Sequence, residues 1–98
     1  MDQDDGALHP DDLAWSRSLA AGDREALARY EREMVPIIQA QLRRRGLSDD
    51  AIADIQQTLR TRLFVGEGDG PAIAGYEGRG ALKSWVLVSA LREAVRVR

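Results

Sequence analysis

The stretch Ser48-Asp49-Asp50-Ala51-Ile52-Ala53-Asp54-Ile55-Gln56-Gln57-Thr58-Leu59-Arg60-Thr61-Arg62-Leu63 decides the fold. Ser48 is a helix-capping residue type: its hydroxyl can accept a hydrogen bond from an otherwise orphaned amide of the first turn. Asp49 and Asp50 suit the positive end of the helix dipole. Ile52, Ile55, Leu59 and Leu63 then recur every three or four residues, the period of one helix face. The opposite face carries Asp54, Gln57 and Thr61, with Thr58 beside them. A helix that is apolar on one side only needs other elements to cover that side.

Upstream of this helix the pattern is again helical. Pro10, Asp11 and Asp12 open a first helix predicted over residues 10–21, and Gly22 ends it. Asp23 can cap a second, whose stripe is Leu27, Tyr30, Met34, Ile38 and Leu42. Pro36 removes one backbone donor inside this segment, so a kink is expected there rather than an end, because the stripe continues past it. Arg43, Arg44 and Arg45 suit the negative end of the dipole, and Gly46 terminates the helix.

Downstream, residues 65–71 form a glycine-rich connector, and residues 72–80 can supply one turn anchored by Ile73 and Tyr76. Residues 81–98 read as a last helix. Leu82, Val86, Leu87, Ala90, Leu91 and Ala94 cover much of its wheel, and Ser89, Arg92, Glu93 and Arg96 form a polar arc. Strand patterns are absent. The expectation is an all-α fold, a compact bundle of about four helices over residues 10–98, preceded by a flexible acidic tail over residues 1–9.

Composition narrows the function. A chain of 98 residues is one small domain, and it has no cysteine and a single histidine, His9. Disulfides, thiolate metal sites and His-rich metal clusters are therefore excluded, and no cofactor is expected. No apolar run approaches the ~20 residues of a membrane helix, and no signal-peptide pattern opens the chain, so a cytoplasmic protein without membrane contact is expected. The net charge of -2 conceals an asymmetry: residues 1–12 carry five aspartates and no base, whereas the remaining 86 carry 11 acids against 14 bases. The body of the domain is thus mildly basic, which suits an anionic partner.

Enzymatic readings fail on the residues available. No Cys/His pair or placeable Ser/His/Asp set exists, and the carboxylates sit at helix starts or on polar faces, where capping and solubility account for them. Gly66 to Gly70 lacks the Lys-Ser/Thr ending of a phosphate-binding loop and follows no strand. The face of Asp54, Gln57 and Thr61 is either a solvated helix side or a docking surface. The segment from Tyr76 to Gly80 is the most informative: an aromatic, an arginine and two glycines precede a basic helix. Tyr76 is either a platform for an unpaired base, with Arg79 on phosphate, or a core residue of a helix-entry loop. Trp85, three residues after Leu82, and Trp15 are read as packing residues.

These residues resemble region 2 of an RNA polymerase sigma factor of the extracytoplasmic-function type, over residues 13–98. Asp54-Ile55-Gln56-Gln57 stands where that family has an Asp-aliphatic-x-Gln motif. Tyr76-Glu77-Gly78-Arg79-Gly80-Ala81-Leu82-Lys83-Ser84-Trp85-Val86 stands where it has an aromatic, a Gly-Arg-Gly-like turn and a Leu-x-x-Trp-aliphatic helix start.

The resemblance implies that the domain binds core RNA polymerase and recognises and melts the minus-ten promoter element in transcription initiation. Asp54 and Gln57, with Thr58 and Thr61 beside them, would contact the clamp helices of the β′ subunit. The loop of residues 68–79 would capture a flipped base of the non-template single strand. Tyr76, Arg79, Lys83, Arg92 and Arg96 are the candidate DNA contacts, and an anti-sigma factor is a further candidate partner. The chain departs from the pattern at Thr58, where the family usually has an acid, and at Leu87, where a base is common. The second family domain, region 4, is absent from this chain, which is read as a fragment. The alternative expectation is a helical protein-interaction module, binding polymerase or an anti-sigma factor, without DNA binding.

Overall fold

A computed structural model describes residues 8–96. Residues 1–7 of the expected acidic tail and residues 97–98 of the expected last helix lie outside the described residues. Helix α1 spans Pro10–Ala20, with Pro10 in its first turn, and Gly22 ends it in the left-handed region at φ 79°. Helix α2 spans Arg24–Glu33, and the Asp23 carboxylate accepts from the Ala26 amide at 2.9 Å, as its capping role predicts. Helix α3 spans Val35–Arg44 and is closed by Gly46 at φ 87°.

Helices α2 and α3 are two halves of one kinked helix, so the described residues form four helices. The break falls at Met34, two residues before Pro36. A proline ring collides with the carbonyl four residues earlier, so the distortion appears upstream of the proline itself. The ladder survives around it: the Met34 amide still donates to Tyr30 O at 2.9 Å and the Ile38 amide to Met34 O at 3.0 Å. The stripe therefore stays in register across the kink, and Tyr30, Met34, Ile38 and Leu42 are all buried.

Helix α4 spans Asp49–Arg60, and the Ser48 hydroxyl accepts from the Ala51 amide at 3.1 Å. Its last turn widens into a π-type turn over Thr61–Val65, closed by the Gly66 amide on Thr61 O at 2.8 Å. Leu63, four residues after Leu59, is buried with Ile52, Ile55 and Leu59. The glycine-rich connector is a hydrogen-bonded turn: the Gly70 amide donates to Glu67 O at 2.7 Å. A side chain at Gly66 would collide with the Gly70 backbone, so only glycine fits there. A single 3-10 turn over Ala72–Gly75 follows, held to the core by Ile73 and then Tyr76.

Helix α5 spans Leu82–Arg96 and buries Leu82, Val86, Ala90 and Ala94. Its first amide is capped from across the molecule: the Asp12 carboxylate of α1 accepts from Leu82 N at 2.9 Å. Two points of the sequence reading change here. Leu8 and His9, assigned to the tail, are pinned to the turn before α5, with Leu8 paired antiparallel to Arg79 and the His9 amide donating to Gly78 O at 2.7 Å. Glu93, assigned to the polar arc of α5, is buried, and its carboxylate takes Arg62 at 3.0 Å. No helix among the described residues is long and apolar enough to cross a membrane.

Tyr30 of α2 packs against the π-type turn that follows α4. It is fully buried and meets Phe64 edge to face at 4.8 Å between ring centroids, and its hydroxyl has no hydrogen-bond partner among the described residues. Burial pushes its pKa up to about 12. The folded state thus holds the phenol proton more tightly than the unfolded chain does. That contribution is full below pH ~10, where the unfolded phenol ionises, and is lost as the pH rises towards ~12. In urea titrations, raising the pH from about 9 to about 11 should cost the wild type roughly 1.4 kcal/mol more than it costs Tyr30→Phe. Core truncation tests the helix face directly. Ile55→Ala should lose about 2–5 kcal/mol, whereas Gln57→Ala should stay within about 0.5 kcal/mol.

Candidate functional site

The exposed side of α4 begins with the residue pattern that buries the other side. At about 100° per residue, Ile52, Ile55 and Leu59 point inward while Asp54, Gln57 and Thr61 point away. The structure follows this: Asp54, Gln57 and Thr61 are exposed, and Thr58 is half-buried. The adjacent Gln56 is the exception that the sequence reading passed over. It sits four residues after Ile52, on the buried side of the wheel, and its amide donates to Val35 O at 3.1 Å across the α3–α4 seam. That spacing was the available signal. Of two neighbouring glutamines, one ties helices together and the other faces outward.

The outward glutamine is held in place. Arg60 makes a two-armed ion pair with Glu31 of α2, at 2.6 and 2.9 Å, and also reaches the Gln57 amide oxygen at 3.5 Å. The hydrogen bonds it donates to the Glu31 carboxylate raise the Arg60 guanidinium pKa above its ordinary range. This pair orients Gln57 from one side and leaves its NH2 group free to donate. The Thr61 hydroxyl donates to Gln57 O at 3.2 Å, so its oxygen remains able to accept.

Gln57, Thr58 and Thr61 line one wall of a groove of about 530 Å³. The other wall is the tight turn of Gly66, Glu67, Asp69 and Gly70, with Arg62 and Ala72 completing the lining. Arg62, unremarked in the sequence reading, is half-exposed and anchored by the buried Glu93. No local pattern announces this pair, because 31 positions separate its partners in the chain. The groove therefore offers an amide, hydroxyls and backbone, with carboxylates of Glu67 and Asp69 at its rim. With the Arg62 guanidinium already paired to Glu93, such a lining suits a neutral polar group with its own donors and acceptors.

The candidate nucleic-acid residues do not form one patch. Tyr76 is buried, its hydroxyl donates to Gly80 O at 2.6 Å, and its ring meets Trp85 edge to face at 5.8 Å. Of its two sequence readings, the packing one describes this geometry, and no face of the ring is free to stack on a base. Burial raises its pKa, with a smaller contribution from Asp12. Arg79 is 70% exposed on the turn, 3.8 Å from Glu77. Lys83, Arg92 and Arg96 are exposed on α5. Lys83 and Arg92 are nine residues apart, which puts them about 180° apart around the helix. Lys83 lies on the α3 flank beside Ile37 and Leu87. Arg92 and Arg96 share the flank of Trp85, next to the exposed Val88 and Val95.

Trp15 is a packing residue, as expected. It is buried, its indole N–H donates to Ala26 O at 3.1 Å, and the Arg29 guanidinium lies 3.8 Å from the ring centroid. No family model, no curated protein and no solved structure matches this chain.

Proposed function

We propose that this domain acts in transcription initiation as a sigma-factor region 2 module, binding core RNA polymerase and helping to open promoter DNA at the minus-ten element. The observation that carries this reading is the two-sided α4, whose exposed Asp54, Gln57 and Thr61 adjoin the groove closed by residues 66–70. A helix face of one carboxylate, one amide and two hydroxyls on a rigid scaffold can bind a partner helix by hydrogen bonds without reorganising. The adjoining groove has the chemistry to take the edge of an unpaired base, whose capture offsets the few kcal/mol that unstacking costs. Arg79, Lys83, Arg92 and Arg96 then supply phosphate contacts at separate points along α5 and its entry turn.

A second reading, a helical interaction module without DNA binding, is favoured by the burial of Tyr76 and by the acidic rim of the groove. The two separate on one measurement. Under the first, amide resonances of residues 76–96 shift when a single-stranded oligonucleotide is added at low salt; under the second they stay still.

Two outcomes test the leading reading. The double substitution Asp54→Ala with Gln57→Ala should weaken capture of core RNA polymerase about tenfold or more, with the helical circular-dichroism signal unchanged; equal capture would overturn it. Binding to a single-stranded oligonucleotide should be weak and strongly salt-dependent. With about three phosphates neutralised, affinity should fall roughly 20-fold between about 50 and about 200 mM salt. A flat salt response in fluorescence anisotropy would remove the phosphate contacts from the mechanism.

A further inference from the structure

Helix α5 is apolar on two sides. Leu82, Val86, Ala90 and Ala94 bury one side in the core. Val88, Leu91 and Val95 stand on the other, at i, i+3 and i+7, within about 60° of one another around the helix axis. Val88 is 47% exposed and Val95 72%, and Leu91 is half-buried. A helix that is polar on its outer side needs no further cover, whereas one that is apolar all round is normally enclosed. The exposure of both valines shows that no other element among the described residues covers this stripe. The charges beside it have one sign. Arg92 and Arg96 lie about 40° and about 80° round from Val88, and Lys83 is on the opposite flank. None of these cations has an ion-pair partner among the described residues. The single acid of α5, Glu93, is buried with Arg62 and presents no charge outward. The outer side of α5 thus combines free cations, no carboxylate, and an apolar strip ~10 Å long from Val88 to Val95.

We propose that this side of α5 docks an acidic amphipathic helix of another protein, whose apolar stripe covers Val88, Leu91 and Val95 and whose flanking carboxylates pair with Arg92 and Arg96. The inference stands on α5 alone and does not require the transcription reading. Helix-on-helix recognition uses apolar anchors at i, i+3 or i+4, and i+7, which is the spacing α5 itself offers. Burial of the stripe supplies affinity, and the arginines set the sign of the partner and speed its approach. A second copy seated on the same face would bring Arg92 and Arg96 against a helix side with no exposed carboxylate of its own, so like charges meet. A nucleic-acid backbone can pair with the arginines but offers little apolar surface to cover the valines and Leu91. An acidic helix satisfies both features at once.

The experiment uses the full chain and a designed helical peptide of about 21 residues, with Leu at the a and d positions of each heptad and Glu at e and g, where like charge also disfavours self-pairing. One control peptide carries Lys in place of every Glu, and another Ser in place of every Leu. In fluorescence anisotropy at about 50 mM salt, both controls should bind at least about tenfold more weakly than the Glu peptide. Val88→Ser with Val95→Ser should weaken the Glu peptide about tenfold, and Arg92→Gln with Arg96→Gln about 5- to 10-fold. These side chains are exposed, so the helical circular-dichroism signal should not change. The advantage of Glu over Lys should shrink to about twofold at about 0.5 M salt. In methyl-detected NMR, the Val88 and Val95 signals should move as the Glu peptide is added, while that of the buried Ile55 stays still. Equal affinity for the Glu and Lys peptides overturns the proposal, as does binding that ignores the valine substitutions. Two further results overturn it by naming another occupant. A dimer in sedimentation equilibrium that the valine substitutions abolish assigns the stripe to a second copy. A single-stranded oligonucleotide whose affinity falls as steeply with the valine pair as with the arginine pair assigns it to nucleic acid.

Discussion

The buried side of α4 is the constraint on which the rest depends. Ile52, Ile55 and Leu59 of α4, with Leu63 of the turn that follows it, are each nearly or fully inaccessible, and α4 packs against α3 and α5. Burying four such side chains is worth on the order of 6–12 kcal/mol before the entropy of ordering the chain is subtracted. That is comparable to the whole net stability of a small domain. The rotation of α4 about its axis is consequently fixed. Once Ile55 and Leu59 point inward, Gln57 and Thr61 have no choice but to point out, and the polar face follows directly from the packing.

Two polar ties then set what α4 presents. Gln56 fastens its middle to the kink between α2 and α3 through Val35 O, and Arg60 fastens its end to Glu31. Val35 O lies one residue past the break, in the first turn of α3. Proline thus acts at a distance: Pro36 distorts the turn before it, and α4 attaches beside that distortion. At the other end of the molecule, Asp12 performs the equivalent task for α5. A helix N-terminus carries orphaned amides and a partial positive charge, so a carboxylate from a different helix both caps it and fixes the packing of α1 on α5.

The helices were legible in the sequence because their signals are local. Ser48, Asp23, Gly22 and Gly46 act on amides or backbone angles within four residues of themselves, and the periodic stripes need only the helical repeat. What the sequence did not disclose depends on partners far along the chain. Glu93 reads as surface on charge alone, although it stands seven residues after Val86 on the same buried side; Arg62 brings it inside by supplying the counter-charge. Tyr76 could be assigned either way from its neighbours, because an aromatic before a Gly-Arg-Gly turn suits both stacking and anchoring. The Gly80 carbonyl decides it by taking the hydroxyl. The placement of Leu8 against Arg79 was equally out of reach, since 70 intervening residues must fold before the two meet.

The separation of the basic residues constrains how any nucleic acid could lie on this surface. Lys83 and Arg92 occupy opposite flanks of α5, so one straight backbone segment cannot touch both without wrapping the helix. Arg92 and Arg96 are a single turn apart on one flank, at the spacing of a helix repeat of about 6 Å. Arg79 stands on the entry turn, beyond the N-terminal end of α5. A strand meeting Arg79 and then Lys83 would pass the α3 side, whereas one meeting Arg92 and Arg96 would pass the Trp85 side. On the proposed reading, the carboxylates of Glu67 and Asp69 disfavour phosphates in the groove beside α4, so a strand would turn a base towards it and hold its backbone outside. Electrostatics and shape together would, on the same reading, divide the labour: arginines on the helix and its entry turn for the backbone, and amide, hydroxyl and main-chain groups in the groove for whatever neutral edge is turned towards it.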